Sequence, residues 1–318
     1  MRIQSPVQSG FNQSSTATDV IADMDLTGKT AIITGGHSGL GLESTKALAA
    51  AGANVIVGAR NVTGAEKILL NIPNTAVKEL NLSDLASVKH FSNEIINSKI
   101  HVDILFCNAG IMACPETRVH SGWEIQFAVN HIGHYVLTNL IWGMLNPGSR
   151  VVCVSSAGHH VSPIRWNDIH FEKEKYDKWV AYGQSKTANA LFALQLDEYG
   201  KKHNIRAFSL HPGKIFTPLQ RYLTVGEMIS AGWLDHEGNP LDPTFKTPEQ
   251  GAATQVWAAT SPKLKNMGGL YCEDCEIAKS ASEYTESFRG IRDYAANLDE
   301  AKRLWELTEH LTGINVFK

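Results

Sequence analysis

The sequence lacks any long apolar run. No stretch of about 18 apolar residues, the length that a spanning helix needs, occurs anywhere in the chain. The N-terminus, MRIQSPVQSGFNQSSTATD, is polar and lacks the apolar centre of a secretory signal peptide. The formal net charge of −3 provides no broad basic field for nucleic acid. These absences predict a cytoplasmic protein that uses neither a membrane nor nucleic acid.

Cysteine is also scarce. The five cysteines form no even disulfide framework, and Cys107, Cys114 and Cys153 lie in apolar runs. This pattern indicates buried free thiols in a reducing compartment. Cys272 and Cys275 form a single C-x-x-C pair, which supplies too few ligands for a structural zinc ion. We therefore expect no metal.

What the chain does have is a regular alternation of short apolar segments with helical ones. Hydrophobic residues make up 43% of the 318 residues and charged residues 19%, which allows a packed core. The segments predicted as strands are 30–36, 54–60, 76–82, 102–110, 149–156, 205–213 and 268–274. Because these strands are apolar nearly throughout and alternate with helices, they indicate a parallel sheet covered on both faces. We predict an α/β fold with a doubly wound, mostly seven-stranded parallel sheet.

A glycine-rich segment, TGGHSGLG at 34–41, lies between the first strand and the first helix. Its glycines, Gly35, Gly39 and Gly41, permit a tight turn and close backbone approach. The helix N-terminus that follows offers free N–H groups and a positive dipole end to a pyrophosphate. In this context the segment, with His37, Ser38 and Leu40, predicts a Rossmann fold that binds a dinucleotide. The alternative is a tight turn that serves packing only.

The end of the second strand indicates which dinucleotide is bound. An acidic residue there would accept hydrogen bonds from the ribose hydroxyls of NAD. This chain has Ala59 followed by Arg60. No carboxylate repels a 2′-phosphate and a guanidinium is available to bind it. We therefore predict NADP rather than NAD as the preferred cofactor. The alternative interpretation of Arg60 is a solvated cation in a loop.

Two segments are longer than simple connections. After a polar extension, 1–25, the sheet pattern runs from 30 to 274 without a break, so 26–318 is interpreted as a single dinucleotide-binding and catalytic domain. The segments 157–181 and 214–248 follow strand ends on the side where doubly wound sheets bind ligands, so we interpret both as substrate-loop insertions. The second contains a short helix that is either a substrate lid or a surface helix. TATDVIADMDL, before the first strand, predicts one further helical turn.

Five motifs occur in the order found in short-chain dehydrogenases/reductases, and the chain resembles that family. They are TGGHSGLG, CNAG at 107–110, FAVNHIGHYVLT around Asn130, Ser156 followed by YGQSK at 182–186, and HPGKIFT at 211–217. VNHIGHYVLT and IRWNDIHFE are similar to the retinol-dehydrogenase-like branch, which also includes bacterial reductases. The resemblance implies a catalytic set of Asn130, Ser156, Tyr182 and Lys186.

Physical chemistry supports that set. Tyr182 and Lys186 lie one helical turn apart on one face. A free phenol has a pKa near 10, and a neighbouring ammonium would lower it and favour proton exchange with a carbonyl oxygen. Ser156 would hydrogen-bond that oxygen. The resemblance implies that Asn130 orders a water behind Lys186, and that Lys186 also holds the nicotinamide ribose.

The resemblance implies further cofactor contacts. Besides Tyr182 and Lys186, the residues carried over by position are Asn81, Leu82, Asn108, Ala109, Gly110, Pro212, Gly213, Ile215 and Thr217. Asn81 stands where relatives more often have an aspartate that binds the adenine amino group, and its amide oxygen can still accept that bond.

The substrate is expected to be a fairly apolar ketone or aldehyde, reduced by NADPH and reversibly formed from the alcohol. Trp166, Phe171 and Trp179 in the first insertion would line one wall of a cleft. His159 and His160 would either touch substrate or pack the loop. The alternatives are an NAD-linked secondary alcohol dehydrogenase and a non-catalytic NADP-sensing module. Relatives in the family commonly form a homodimer or homotetramer through the tyrosine-bearing helix and the helix before it, but monomers occur in this branch, so the oligomeric state stays open.

Overall fold

The computed structural model describes residues 4–120 and 122–318. The strands are β1 Thr30–Thr34, β2 Asn54–Ala59, β3 Thr75–Glu79, β4 Val102–Cys107, β5 Arg118–Val119, β6 Trp123–Glu124, β7 Leu145–Val154, β8 Arg206–His211, β9 Lys214–Ile215, β10 Phe245–Lys246, β11 Leu270–Glu273 and β12 Glu276–Ile277. The α-helices are α1 Ala17–Ile21, α2 Gly39–Ala50, α3 Val62–Leu69, α4 Leu85–Asn97, α5 Ile125–Phe127, α6 Gly133–Leu140, α7 Lys178–Gly200, α8 Val225–Ser230, α9 Pro248–Thr260 and α10 Leu298–Thr312.

The central sheet has the order β12-β11-β8-β7-β4-β1-β2-β3. Every neighbouring pair from β11 to β3 is parallel, which confirms the predicted doubly wound sheet. The eighth strand, β12, is antiparallel to β11 and was not predicted. It follows a tight turn in which Asp274 and Cys275 both have positive φ, 53° and 58°. Hairpin turns of this kind are usually signalled by Asn-Gly or Asp-Gly, and neither is present here.

Two hydrophobic cores cover the two faces of the sheet. Helices α4, α6, α7 and α10 bury their apolar side chains against one face, and α1, α2 and α9 against the other. Chain order reverses beside β1, since β2 and β3 lie on one side of it and β4 and β7 on the other. The carboxyl ends of β1 and β4 therefore form the crevice in which such sheets bind ligands.

The residues before β1 pack against the domain. The predicted helical turn is α1, which Thr16 and Asp19 cap reciprocally and which packs against α9. The backbone N–H groups of Val7 and Ser9 donate to the Glu276 carboxylate at 2.6 and 2.8 Å. The N-terminal extension thus lies at the β12 edge of the sheet. Among the described residues, no helix combines the length and the apolarity that crossing a membrane requires.

The C-terminal helix covers the other end of the fold. Trp305 of α10 is 2% exposed and packs against Tyr135 of α6 at 4.8 Å between ring centroids. It also packs against Phe192 and Tyr199 of α7. The Tyr135 hydroxyl donates to the Ile314 carbonyl at 2.7 Å. Helix α10 therefore occupies part of the α6–α7 face.

Candidate active site

Helix α7 presents Tyr182 and Lys186 together, as their spacing predicts. Both are buried, at 5% and 3% exposure. The Lys186 ammonium lies 5.5 Å from the centroid of the Tyr182 ring and donates to the Val154 carbonyl at 2.9 Å. The lysine thus joins α7 to the carboxyl end of β7.

Ser156 follows β7 and faces the tyrosine. A hydrogen bond to the Ser156 side chain lowers the pKa of Tyr182, and the Ser156 hydroxyl accepts the N–H of Gly158 at 3.0 Å. A Cβ atom on Gly158 would lie 2.8 Å from Cε1 of Tyr182, so this approach requires glycine. The neighbouring Ser155 instead donates to the Lys186 carbonyl at 2.7 Å. Ser156 is therefore the serine that meets the phenol.

Burial dominates the acidity of the pair. It raises the pKa of Tyr182 to about 12, against the smaller effect of the Ser156 hydrogen bond. It lowers the pKa of Lys186 to about 8. The expectation that the neighbouring ammonium lowers the pKa of the phenol is wrong for this structure. The physical reason is that the loss of hydration on burial outweighs an opposite charge that is bonded elsewhere.

Asn130 lies in a π-helical turn, Ala128–Ile132, between α5 and α6. Its side-chain amide donates to the Ile111 carbonyl and to the Ser185 hydroxyl, both at 2.9 Å, and accepts the Ile111 N–H at 2.9 Å. The side chain therefore ties the loop after β4 to α7. Since π-helical turns are frequent at functional sites, this one marks Asn130 in a way that the sequence pattern did not show.

The glycine-rich turn opens α2 against the end of β4. Gly39 has φ +51°, and a Cβ atom on Gly41 would lie 2.5 Å from the Gly35 carbonyl oxygen and 2.6 Å from Nδ2 of Asn108. That amide donates to the Thr34 carbonyl at 2.9 Å. A Cβ atom on Gly39 would lie 3.4 Å from Cβ of Thr217. Three predicted cofactor segments, 34–41, 107–110 and 211–217, therefore meet at one crevice.

The residues of this crevice fit a dinucleotide. The turn leaves a backbone cradle that side chains would fill, and Nδ1 of His37 is buried without a partner among the described residues. Burial and the positive charge of Arg60 lower the pKa of His37. A buried, unpaired ring nitrogen near an exposed guanidinium suits an anionic ligand.

The other predicted cofactor residues lie around the same sheet edge. Asn81 follows β3, and its side-chain oxygen already accepts two hydrogen bonds from Ser83, at 3.2 and 2.8 Å. An adenine amino group would have to compete for that oxygen. Gly110 lies beside Asn130 and Lys186, since its Cβ would be 3.2 Å from Oδ1 and 3.6 Å from Nζ. The remaining members are Ala109, Leu82, Leu40, Ser38, Pro212, Gly213 and Ile215, on or beside the strand ends and turns just described.

An apolar cluster surrounds the Tyr182 side chain. Its buried members are Met112, Ala113 and Tyr182, and its partly buried members are Trp179, Leu219, Leu223 and Trp233. Met112 and Ala113 were missed at the sequence level, although the apolar residues directly after CNAG were a usable signal. The predicted short helix, α8, is held to α7 by an ion pair between Lys178 and Glu227.

The first insertion mostly packs on the domain. Trp166 donates from Nε1 to Glu300 of α10 at 2.7 Å, and Phe171 packs against Tyr176 at 5.2 Å between ring centroids. Of the three aromatic residues expected to line a substrate wall, only Trp179 joins the apolar cluster. The expectation for Trp166 and Phe171 is therefore wrong, because their partners lie in α10 and within the insertion.

His159 and His160 pack the loop, which favours the second of the two roles considered for them. His159 is fully buried, and its Nδ1 lies 2.7 Å from the Ser156 carbonyl oxygen. Its Nε2 accepts the Arg292 N–H at 3.2 Å. His160 bonds the Gly290 carbonyl at 3.0 Å. Both rings thus anchor the segment after Ser156 to the residues before α10.

The parallel sheet, the glycine-lined crevice and the Ser156–Tyr182–Lys186 group define a dinucleotide-binding oxidoreductase. Residues 29–227 match the short chain dehydrogenase family, and the chain belongs to that family. It is 42% identical over 294 residues to a probable oxidoreductase of Streptomyces antibioticus, covering 89% of this chain and 97% of the relative. It is 32% identical over 313 residues to human retinol dehydrogenase 14, covering 90% and 87%. The resemblance to the retinol-dehydrogenase-like branch is confirmed.

Solved structures agree with the fold. An uncharacterised protein from Mycobacterium paratuberculosis superposes with a TM-score of 0.73 at 29% identity, covering 95% of this chain and 99% of that one. The RhlG/NADP active-site complex of Pseudomonas aeruginosa superposes with a TM-score of 0.59 at 23% identity, covering 78% and 95%. The second likeness shows the fold alone.

Proposed function

We propose that this protein is an NADPH-dependent carbonyl reductase, reversible as an alcohol dehydrogenase, that acts on a fairly apolar ketone or aldehyde. The observation that carries the proposal is the buried Tyr182 side chain, which borders Gly158 together with the Ser156 hydroxyl and lies beside an apolar cluster. A bound nicotinamide cofactor would supply the hydride in reduction and accept it in oxidation.

Each residue of the site has a role that its surroundings support. Tyr182, with a pKa raised by burial, is protonated at neutral pH and donates its proton to the carbonyl oxygen as negative charge develops there. Ser156 donates a hydrogen bond to the same oxygen. Lys186 holds a positive charge behind both groups, and Asn130 fixes the loop that follows β4 against α7.

The cofactor preference rests on charge. Arg60 is exposed at the end of β2, and no described contact pairs it with a carboxylate. It is therefore available for the 2′-phosphate of NADP, and the adenosine side of NAD would gain less from it. NAD-linked oxidation of a secondary alcohol stays the alternative.

The apolar cluster supports the substrate class. Trp179, Leu219, Leu223 and Trp233 offer carbon surface and few hydrogen-bond partners around Tyr182.

We also propose a cytoplasmic location. A homodimer or homotetramer would need a surface other than the part of the α6–α7 face that α10 covers.

The test is consumption of NADPH with a panel of apolar ketones and aldehydes, followed by the absorbance of the reduced nicotinamide. Turnover with at least one apolar carbonyl is expected. Binding of NADPH without turnover of any carbonyl would favour the sensing module instead.

A further inference from the structure

One buried histidine next to the catalytic group has no role in the reaction described above. His134 lies on α6, one turn after Asn130, and is 1% exposed. Its Nδ1 is 3.0 Å from the Asn130 carbonyl oxygen, and its Nε2 is 2.9 Å from the Thr34 hydroxyl. Because a carbonyl oxygen only accepts, Nδ1 carries the proton and Nε2 is an acceptor.

The hydrogen bonds of the Thr34 hydroxyl require the same tautomer of His134. The Thr34 hydroxyl accepts the backbone N–H groups of Asn108 and Ala109, both at 2.9 Å. These two bonds occupy both lone pairs, so the hydroxyl can only donate to a further partner. Two acceptors are in reach, Nε2 of His134 at 2.9 Å and the Phe106 carbonyl at 3.2 Å. The shorter contact is the one to His134.

The ring is neutral at neutral pH. Burial lowers the pKa of His134 to about 4, and the positive charge of Lys186 acts in the same direction. A neutral ring with one donor and one acceptor satisfies both of its partners without leaving a buried polar atom unpaired.

We propose that His134 is a positioning residue that joins the Asn130 turn and α6 to the end of β1, beside the cofactor turn. Through Thr34 it fixes the Asn130 turn relative to the backbone of Asn108 and Ala109, which borders the glycine-lined cradle. The inference rests on the proposed function, because it assigns His134 to the binding of the same cofactor.

The rival interpretation is a satisfied core histidine that contributes stability alone, and the chain contains a control for it. His131 lies in the same π-helical turn and is 1% exposed. Its Nε2 lies 2.8 Å from the Thr308 hydroxyl of α10, so it connects the turn to the C-terminal helix and not to the cofactor crevice.

The experiment measures NADPH affinity by fluorescence quenching and thermal stability in parallel. His134→Asn keeps an amide donor for Asn130 but shortens the side chain that reaches Thr34, and Thr34→Val removes the hydroxyl. His134→Asn is expected to raise the Kd for NADPH about tenfold, which corresponds to about 1.4 kcal/mol and lies in the range for one buried hydrogen bond. Thr34→Val also leaves the Asn108 and Ala109 N–H groups without their acceptor, so it is expected to raise the Kd by at least the same factor. Because the two residues share one bond, the double variant should lose much less than the product of the single effects.

Controls separate positioning from stability. Thr34→Ser keeps the hydroxyl and should restore the affinity to within about threefold of the unaltered protein. His131→Asn should lower Tm and leave the Kd unchanged. If His134→Asn lowers Tm as His131→Asn does and leaves the NADPH affinity intact, the inference is overturned. If His134→Asn does not fold, an unchanged Kd in Thr34→Val overturns it equally. Failure of the unaltered protein to bind NADPH would instead refute the proposed function, and this inference with it.

Discussion

The ammonium of Lys186 lies 5.5 Å from the centroid of the Tyr182 ring. It donates to the Val154 carbonyl and not to the phenol. In this arrangement the phenol keeps its proton and the lysine has the lower of the two pKa values, about 8 against about 12. Titration of the site near neutral pH therefore belongs to the lysine.

The pH dependence of carbonyl reduction should follow Lys186. The charged form is present below its pKa of about 8 and is lost as the pH rises. We expect kcat/KM to be level between pH 6 and 7 and to fall as the pH rises through about 8. In Lys186→Arg, whose charge persists at high pH, the remaining activity should show no such fall. A profile that falls equally in both proteins would contradict the assignment.

Replacing Arg60 should change the choice of cofactor. Arg60→Ala removes the guanidinium available to the 2′-phosphate, so the Kd for NADPH should rise about tenfold. The Kd for NADH should stay within about twofold. Lys67→Ala, which removes another exposed cation from α3, controls for general charge. Titration of each protein with both cofactors makes the comparison, and equal losses for NADPH and NADH would refute the preference.

Buried histidines should make the fold sensitive to mild acid. Burial lowers the pKa of His131 and His159 to about 3, below the ordinary value of about 6.5. Because the folded state disfavours the charged form, this stability is fully present above pH 6.5 and is lost as the pH falls below it. Below pH 6.5, the free energy of unfolding falls by as much as about 1.4 kcal/mol per pH unit for each such ring.

Urea unfolding at pH 7, 6 and 5 measures this effect. His131→Asn should reduce the slope of the unfolding free energy with pH. His236→Asn, at an exposed position, should leave the slope as it is. A free energy that stays constant from pH 7 to pH 5 would contradict the prediction.

The ion pair between Lys178 and Glu227 should affect substrate binding. It holds α8 beside the apolar cluster, so Lys178→Ala should raise KM for an apolar ketone about two- to fivefold, the range for a partly exposed pair. High salt should raise KM of the unaltered protein similarly. Lys175→Ala, at an exposed position nearby, is the matched control. Steady-state kinetics with no difference between the two variants would argue against a lid.

The sheet and the placement of Tyr182 beside Lys186 were predictable because each depends on local order in the chain. Apolar strands alternating with helices specify the parallel sheet, and the spacing of Tyr182 and Lys186 specifies a shared face. The rest depends on tertiary contacts. Strand β12 needs positive φ at Asp274 and Cys275, residues that give no turn signal. Trp166 donates a hydrogen bond to Glu300 of α10, a residue 134 positions further along the chain. The acidity of Tyr182 is set by burial, and the five-residue motif YGQSK carries no information about burial.

The most direct test compares Tyr182→Phe with the unaltered protein, measuring carbonyl turnover and NADPH affinity together. The variant keeps the ring in the apolar cluster and removes only the hydroxyl. Loss of a positioned proton donor should lower kcat by about 10²–10⁴-fold, with Kd for NADPH and Tm nearly unchanged. Turnover at the rate of the unaltered protein would contradict the central claim that the Tyr182 hydroxyl delivers the proton.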